Sequence, residues 1–127
     1  MSTFEPRKIT TGADYVASLR DRGLTIYLFG EKVVEPVDHP LIRPSINAVA
    51  QTYDLANTHP QLASVISPFT GERVSRFLHV CTDVDDLVLQ NKMQRRLGQL
   101  TGTCFQRCVG MDAFNALYST TYEMDDA

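Results

Sequence analysis

The segment Thr103-Cys104-Phe105-Gln106-Arg107-Cys108-Val109-Gly110-Met111-Asp112-Ala113-Phe114-Asn115-Ala116 decides what kind of fold this is. Its composition predicts a helix from about 103 to 118, on which Cys104 and Cys108 lie one turn apart on one face, with Cβ atoms about 5–6 Å apart. At about 100° per residue, Met111 and Asn115 share that face. Phe105, Val109, Ala113, Ala116 and Leu117 cover one flank, and Phe114 and Tyr118 the other. A helix that is apolar on nearly every side belongs inside a larger structure, not on the surface of a small one.

Working outward, Thr82 with Asp83, Asp85 and Asp86 places a cap and carboxylates where a helix dipole favours negative charge, so a second long helix begins there. It carries Leu87, Val88, Met93, Leu97 and Leu100 inward and Lys92, Arg95 and Arg96 late, while Gly98 and Gly102 weaken its end. A third helix, from about 45 to 57, buries the stripe Ile46, Val49, Tyr53 and Ala56. Between them, Pro60, Pro68 and Thr70-Gly71-Glu72 predict a loop with one turn of helix and a tight turn. Near the start, Thr11 and Asp14 form a cap for a helix over 12–22 that Gly23 ends. Thr25-Ile26-Tyr27-Leu28-Phe29, a turn at 30–32 and Val33-Val34 form one small hairpin, followed by a loop through His39-Pro40 and Arg43-Pro44. The expected fold is mainly α with a small β-hairpin, in a single domain spanning 1–127.

Composition removes several functions. The 127 residues are 43% hydrophobic and 21% charged, as in one ordinary globular domain. Twelve basic residues against 15 acidic ones leave a net charge of -3, so nothing offers the basic excess that phosphates require, and nucleic acid is not expected as a partner. No apolar run approaches the roughly 20 residues of a spanning helix, and MSTFEPRK holds no secretory apolar core. A cytoplasmic location follows as the expectation, with the three cysteines reduced and available for metal or redox chemistry. One domain of this size has a core but little room for a large cofactor as well.

A Cys-x3-Cys spacing alone is weak. It also fits two small buried hydrophobes, and two thiolates complete neither an iron-sulfur cluster nor a structural zinc site, each of which takes about four ligands. Two copies of the chain could supply four thiolates to zinc. Among other possible ligands, Cys81 reads as a core cysteine, His79 as a surface or packing residue, and His39 and His59 as loop residues before prolines. Lys92, Arg95 and Arg96 fit either an anion contact or a solvated, dipole-compensating face. Asp112 fits a partner of the site or a buried ion pair, and Tyr118 and Tyr122 fit core or interface aromatics.

The runs Tyr27-Leu28-Phe29-Gly30-Glu31-Lys32, Asp38-His39-Pro40-Leu41-Ile42-Arg43-Pro44-Ser45-Ile46-Asn47, Lys92-Met93-Gln94-Arg95 and, above all, Cys104 to Ala116 resemble the N-terminal part of the 4-hydroxybutyryl-CoA dehydratases. The resemblance extends from about Thr11 to Glu123. It implies the N-terminal helical part of an acyl-CoA dehydrogenase-like fold, in an enzyme that turns 4-hydroxybutyryl-CoA into crotonyl-CoA and isomerises vinylacetyl-CoA, using FAD and a [4Fe-4S] cluster. By the resemblance Cys104 and Cys108 are two cluster ligands and Gln106 is a polar residue near the active site. The remaining ligands and acid/base groups lie in later parts of the family's chain. The flavin makes an unactivated proton acidic by one-electron chemistry, and the cluster polarises the leaving hydroxyl.

The resemblance therefore implies an acyl-CoA substrate, a homotetramer when complete, and a chain that is a fragment or one subunit of a split enzyme, inactive alone, with FAD held mainly by middle and C-terminal domains that it lacks. Two rivals remain. The flavin-dependent 4-hydroxyphenylacetate hydroxylases share the superfamily without needing the paired cysteines, and a non-enzymatic helical interaction module would use both thiols only for packing.

Overall fold

The computed structural model describes residues 8–20, 22–104 and 107–125. The elements run α1 (Gly12–Arg20), β1 (Ile26–Leu28), β2 (Glu31–Val33), α2 (Arg43–Thr58), α3 (Pro60–Ala63), β3 (Ser64–Ile66), β4 (Arg73–Ser75), a 3-10 turn at Arg76–Leu78, α4 (Val84–Thr101) and α5 (Arg107–Asp125). The mainly helical class is the one expected, with one addition. A second antiparallel strand pair, with Ser64 opposite Ser75 and Ile66 opposite Arg73, occupies the stretch read from sequence as loop. The chain forms two compact units, Met1–Asp54 and Leu55–Ala127.

In the first unit the cap on α1 closes reciprocally. The Asp14 amide donates to Thr11 Oγ1 at 3.0 Å, and the Thr11 amide donates back to Asp14 Oδ2 at 3.0 Å. Hydrogen bonds from the Thr10 and Thr11 side chains, then from their amides, hold the Asp14 carboxyl below its usual range. Gly12 sits so close to α2 that a Cβ there would meet Ala50 Cβ at 2.9 Å, and its amide donates to Asp54 Oδ1 at 2.8 Å. The first hairpin is tighter than the expected turn at 30–32. Leu28 pairs with Glu31 across a two-residue turn in which Phe29 (φ 53°) and Gly30 (φ 87°) are both left-handed. Arg20 and Arg43 converge on Asp38, at 2.7 and 2.9 Å, and the His39 carbonyl accepts the Arg43 amide at 2.8 Å, which sets the entry to α2.

The second unit holds the core cluster Leu55, Ala63, Met93, Leu97 and Met111, with Ala56, Leu62 and Phe77 packed against it. On α4, Met93 and Leu97 are fully buried, whereas Leu87, Val88 and Leu100, expected to point inward, are exposed. The reason is that this core is narrow: on α4 only Gln90, Met93 and Leu97, spaced three and four residues apart, are buried. The helix is capped by Asp83, whose side chain accepts the Asp86 amide at 2.9 Å, and Gly102 in the left-handed conformation (φ 67°) closes its other end onto Gly98.

Candidate cysteine site

The site begins where α4 stops. Gly102 ends the helix, and the Thr101 hydroxyl donates to the Leu97 carbonyl at 2.8 Å and to the Thr103 carbonyl at 3.0 Å. Arg107, the first residue of α5, donates from Nη1 to the carbonyls of Thr103 (3.2 Å) and Cys104 (3.0 Å), while its amide donates to Cys104 O at 3.2 Å. These carbonyls are thus taken by side chains and a tight turn, which corrects the expectation that one helix carries both cysteines. Cys104 lies in the segment joining α4 to α5, and Cys108 is the second residue of α5. Gln106, with Phe105, lies outside the described residues.

Both cysteines are exposed and neither is in a disulfide. That is not the setting of two buried packing residues, and it separates them from Cys81, which is half-buried and donates from Sγ to Gln90 Oε1 at 2.9 Å. Burial, and then the Asp86 carboxylate, push the Cys81 thiol up, so it is a poor nucleophile and a poor ligand. Cys108 stands in the first turn of α5, where the helix dipole favours an anionic group. Further along that face Met111 is buried in the core, its sulfur 3.5 Å from Gln94 Nε2, and Asn115 Oδ1 accepts the Cys81 amide at 2.8 Å. Of the face predicted from sequence, Cys108, Met111 and Asn115 lie on α5, with Met111 and Asn115 anchored and Cys108 exposed, while Cys104 lies outside the helix.

Sequence reading missed the polar network beside this face. Arg76 is only 4% exposed; it donates from Nε to Leu62 O at 2.9 Å and pairs with Asp86 at 3.3 Å. His79, also 4% exposed, meets Asp86 Oδ2 at 2.8 Å, and Asp86 accepts from the Thr82 amide at 3.1 Å. Burial pushes the Asp86 carboxyl up, but the hydrogen bonds from His79 and Thr82 together with the His79 charge outweigh it and hold the group below its usual range. His79 is thus a buried partner of an acid. Asp112 is exposed, not in a buried pair, and Tyr122 is 64% exposed, while Tyr118 rests on Phe69 with ring centroids 5.3 Å apart.

Two thiols fit half the donor set of a four-ligand centre, and among the described residues no group of three or more His, Cys, Asp or Glu could hold a metal ion. Among those residues, no helix is long and apolar enough to cross a membrane. Residues 11–127 match the family described as 4-hydroxyphenylacetate 3-hydroxylase N terminal. The chain belongs to that family. Within it, the chain is 52% identical over 120 residues to the 4-hydroxybutyryl-CoA dehydratase/vinylacetyl-CoA-Δ-isomerase of Clostridium aminobutyricum, covering 92% of this chain and 24% of that protein. It superposes with a TM-score of 0.85, at 66% identity, on an oxygen-tolerant archaeal 4-hydroxybutyryl-CoA dehydratase from N. maritimus, covering 94% of this chain and 24% of that one. A more distant member, the oxygenase component of 4-hydroxyphenylacetate 3-monooxygenase solved with FAD, shares the fold over 69% of this chain and 19% of its own length at a TM-score of 0.59 and 24% identity. The chain spans about a quarter of the length of the dehydratases it matches.

Proposed function

We propose that this chain is the N-terminal portion, or one subunit, of a dehydratase that converts 4-hydroxybutyryl-CoA to crotonyl-CoA and isomerises vinylacetyl-CoA. The observation that carries the reading is the 52% identity to the clostridial dehydratase over 92% of the chain. Cys104 and Cys108 would supply two thiolate ligands of a [4Fe-4S] cluster, Gln106 a polar contact near the active site, and the rest of the enzyme the other ligands, most of the FAD site and the acid/base groups. When bound, the flavin and cluster would supply the one-electron and Lewis-acid chemistry that removes an unactivated proton and a hydroxyl. This chain's part is anchorage: Met111 and Asn115 fix α5 against the core, and the exposed first turn offers the Cys108 thiol at the positive end of the helix. An acyl-CoA substrate, a tetrameric assembly and a cytoplasmic setting belong to the same reading.

The experiment is turnover of 4-hydroxybutyryl-CoA. The complete enzyme, this chain with the remaining polypeptide, is expected to form crotonyl-CoA anaerobically, and the 127-residue chain alone to form none; activity of the chain alone would contradict the reading. A second reading, the N-terminal domain of a flavin-dependent hydroxylase, is supported by the family match and by relatives such as the Klebsiella oxytoca monooxygenase, 33% identical over 87 residues. Iron and acid-labile sulfide in the purified complete enzyme distinguish the two.

A further inference from the structure

The guanidinium of Arg107 occupies an unusual place. A basic residue in the first turn of a helix opposes the helix dipole and is disfavoured there, so its position calls for a local reason. That reason is visible in its bonds, because Nη1 donates to the carbonyls of Thr103 and Cys104, the two residues that leave α4 and enter the cysteine segment. The Thr101 hydroxyl donates to the same Thr103 carbonyl at 3.0 Å. The cation thus sits against the backbone of Cys104, with Nη1 3.0 Å from its carbonyl oxygen.

We infer that Arg107 is a positioning residue of the two-cysteine site, holding the carbonyls of Thr103 and Cys104 and placing a fixed positive charge against the backbone of a cluster-ligating cysteine. The inference rests on the cluster reading above. A charge-assisted hydrogen bond to each carbonyl is stronger than a neutral one, so the turn depends on this side chain more than on a single neutral donor. A fixed cation near thiolate ligands stabilises the more negative, reduced state of a cluster and raises its potential. Removing it lowers the potential, and loosening the turn speeds the loss of iron.

The test uses the complete enzyme, purified anaerobically, as parent, Arg107→Gln, Arg107→Lys and Cys108→Ser. Arg107 is half-buried and outside the core cluster, and glutamine keeps a donor, so the fold survives the change. Arg107→Gln is expected to have a lower midpoint potential in a redox titration and to release iron to a chelator about 10-fold faster, the usual scale for losing a group that supports a ligand. Arg107→Lys, which keeps the charge, is expected to recover the parent's potential. A merely structural role would move the melting temperature and leave the potential where it was. A glutamine variant with the parent's potential and release rate overturns the inference, as does a lysine variant that matches the glutamine one. Loss of iron in Cys108→Ser keeps the cluster reading while those results are judged; full iron in Cys108→Ser removes the cluster reading and this inference with it.

Discussion

Helices α4 and α5 are almost the same length, 18 and 19 residues, yet they are finished to different degrees. Along α4, Gln90, Met93 and Leu97 are buried, Asp83 caps the start and a left-handed Gly102 closes the end. Along α5 only Met111 is buried, while Val109, Leu117, Tyr122 and Met124 are 59 to 72% exposed. The difference teaches what each helix is for: α4 completes the core of its own unit, while α5 buries only Met111 in that core, is tied beside it through Asn115 and Tyr118, and leaves its thiol-bearing end and most of its apolar surface open.

The contrast breaks most readily at the core. Leu97→Ala removes a fully buried side chain and is expected to cost about 3–4 kcal/mol in chemical denaturation, whereas Leu117→Ala, 64% exposed, should change stability by less than about 0.5 kcal/mol. Equal losses would show α5 to be as well packed as α4. Next, Asp86→Ala leaves Arg76 buried without its carboxylate and is expected to cost about 3 kcal/mol. The same group gives an acid-side signature. Because the folded state depresses its titration, its contribution is complete above the ordinary aspartate range, about pH 4, and is lost as pH falls through the lower folded value. An acid denaturation profile that Asp86→Asn does not flatten would contradict this. The smallest effect is at the cap: Asp83→Ala should cost about 1 kcal/mol and fray the start of α4, read by amide hydrogen exchange.

Sequence carried the elements that repeat a local rule. The Thr11–Asp14 box, the carboxylate-rich start of α4 and the apolar character of α5 are all written within one or two helical turns, and all three appear in the structure. The second hairpin was illegible because its strands are three residues each, too short for alternation to register, and flank a stretch containing Pro68. The Arg76–His79–Asp86 network joins residues seven and ten apart in sequence, a spacing with no periodic signal. At the candidate site the two cysteines were legible as a pair, but not the break before α5, because it depends on where the Thr101 and Arg107 side chains donate. Gln106 lies outside the described residues, so its assignment rests on the resemblance alone.

The claim on which the account turns is that Cys104 and Cys108 together hold iron while Cys81 does not. The direct measurement is iron and acid-labile sulfide per enzyme in the complete protein, purified anaerobically, for Cys104→Ser with Cys108→Ser and, separately, for Cys81→Ser. The account predicts that the paired substitution abolishes the cluster and that Cys81→Ser retains it; a full complement of iron and sulfide in the paired variant would contradict it.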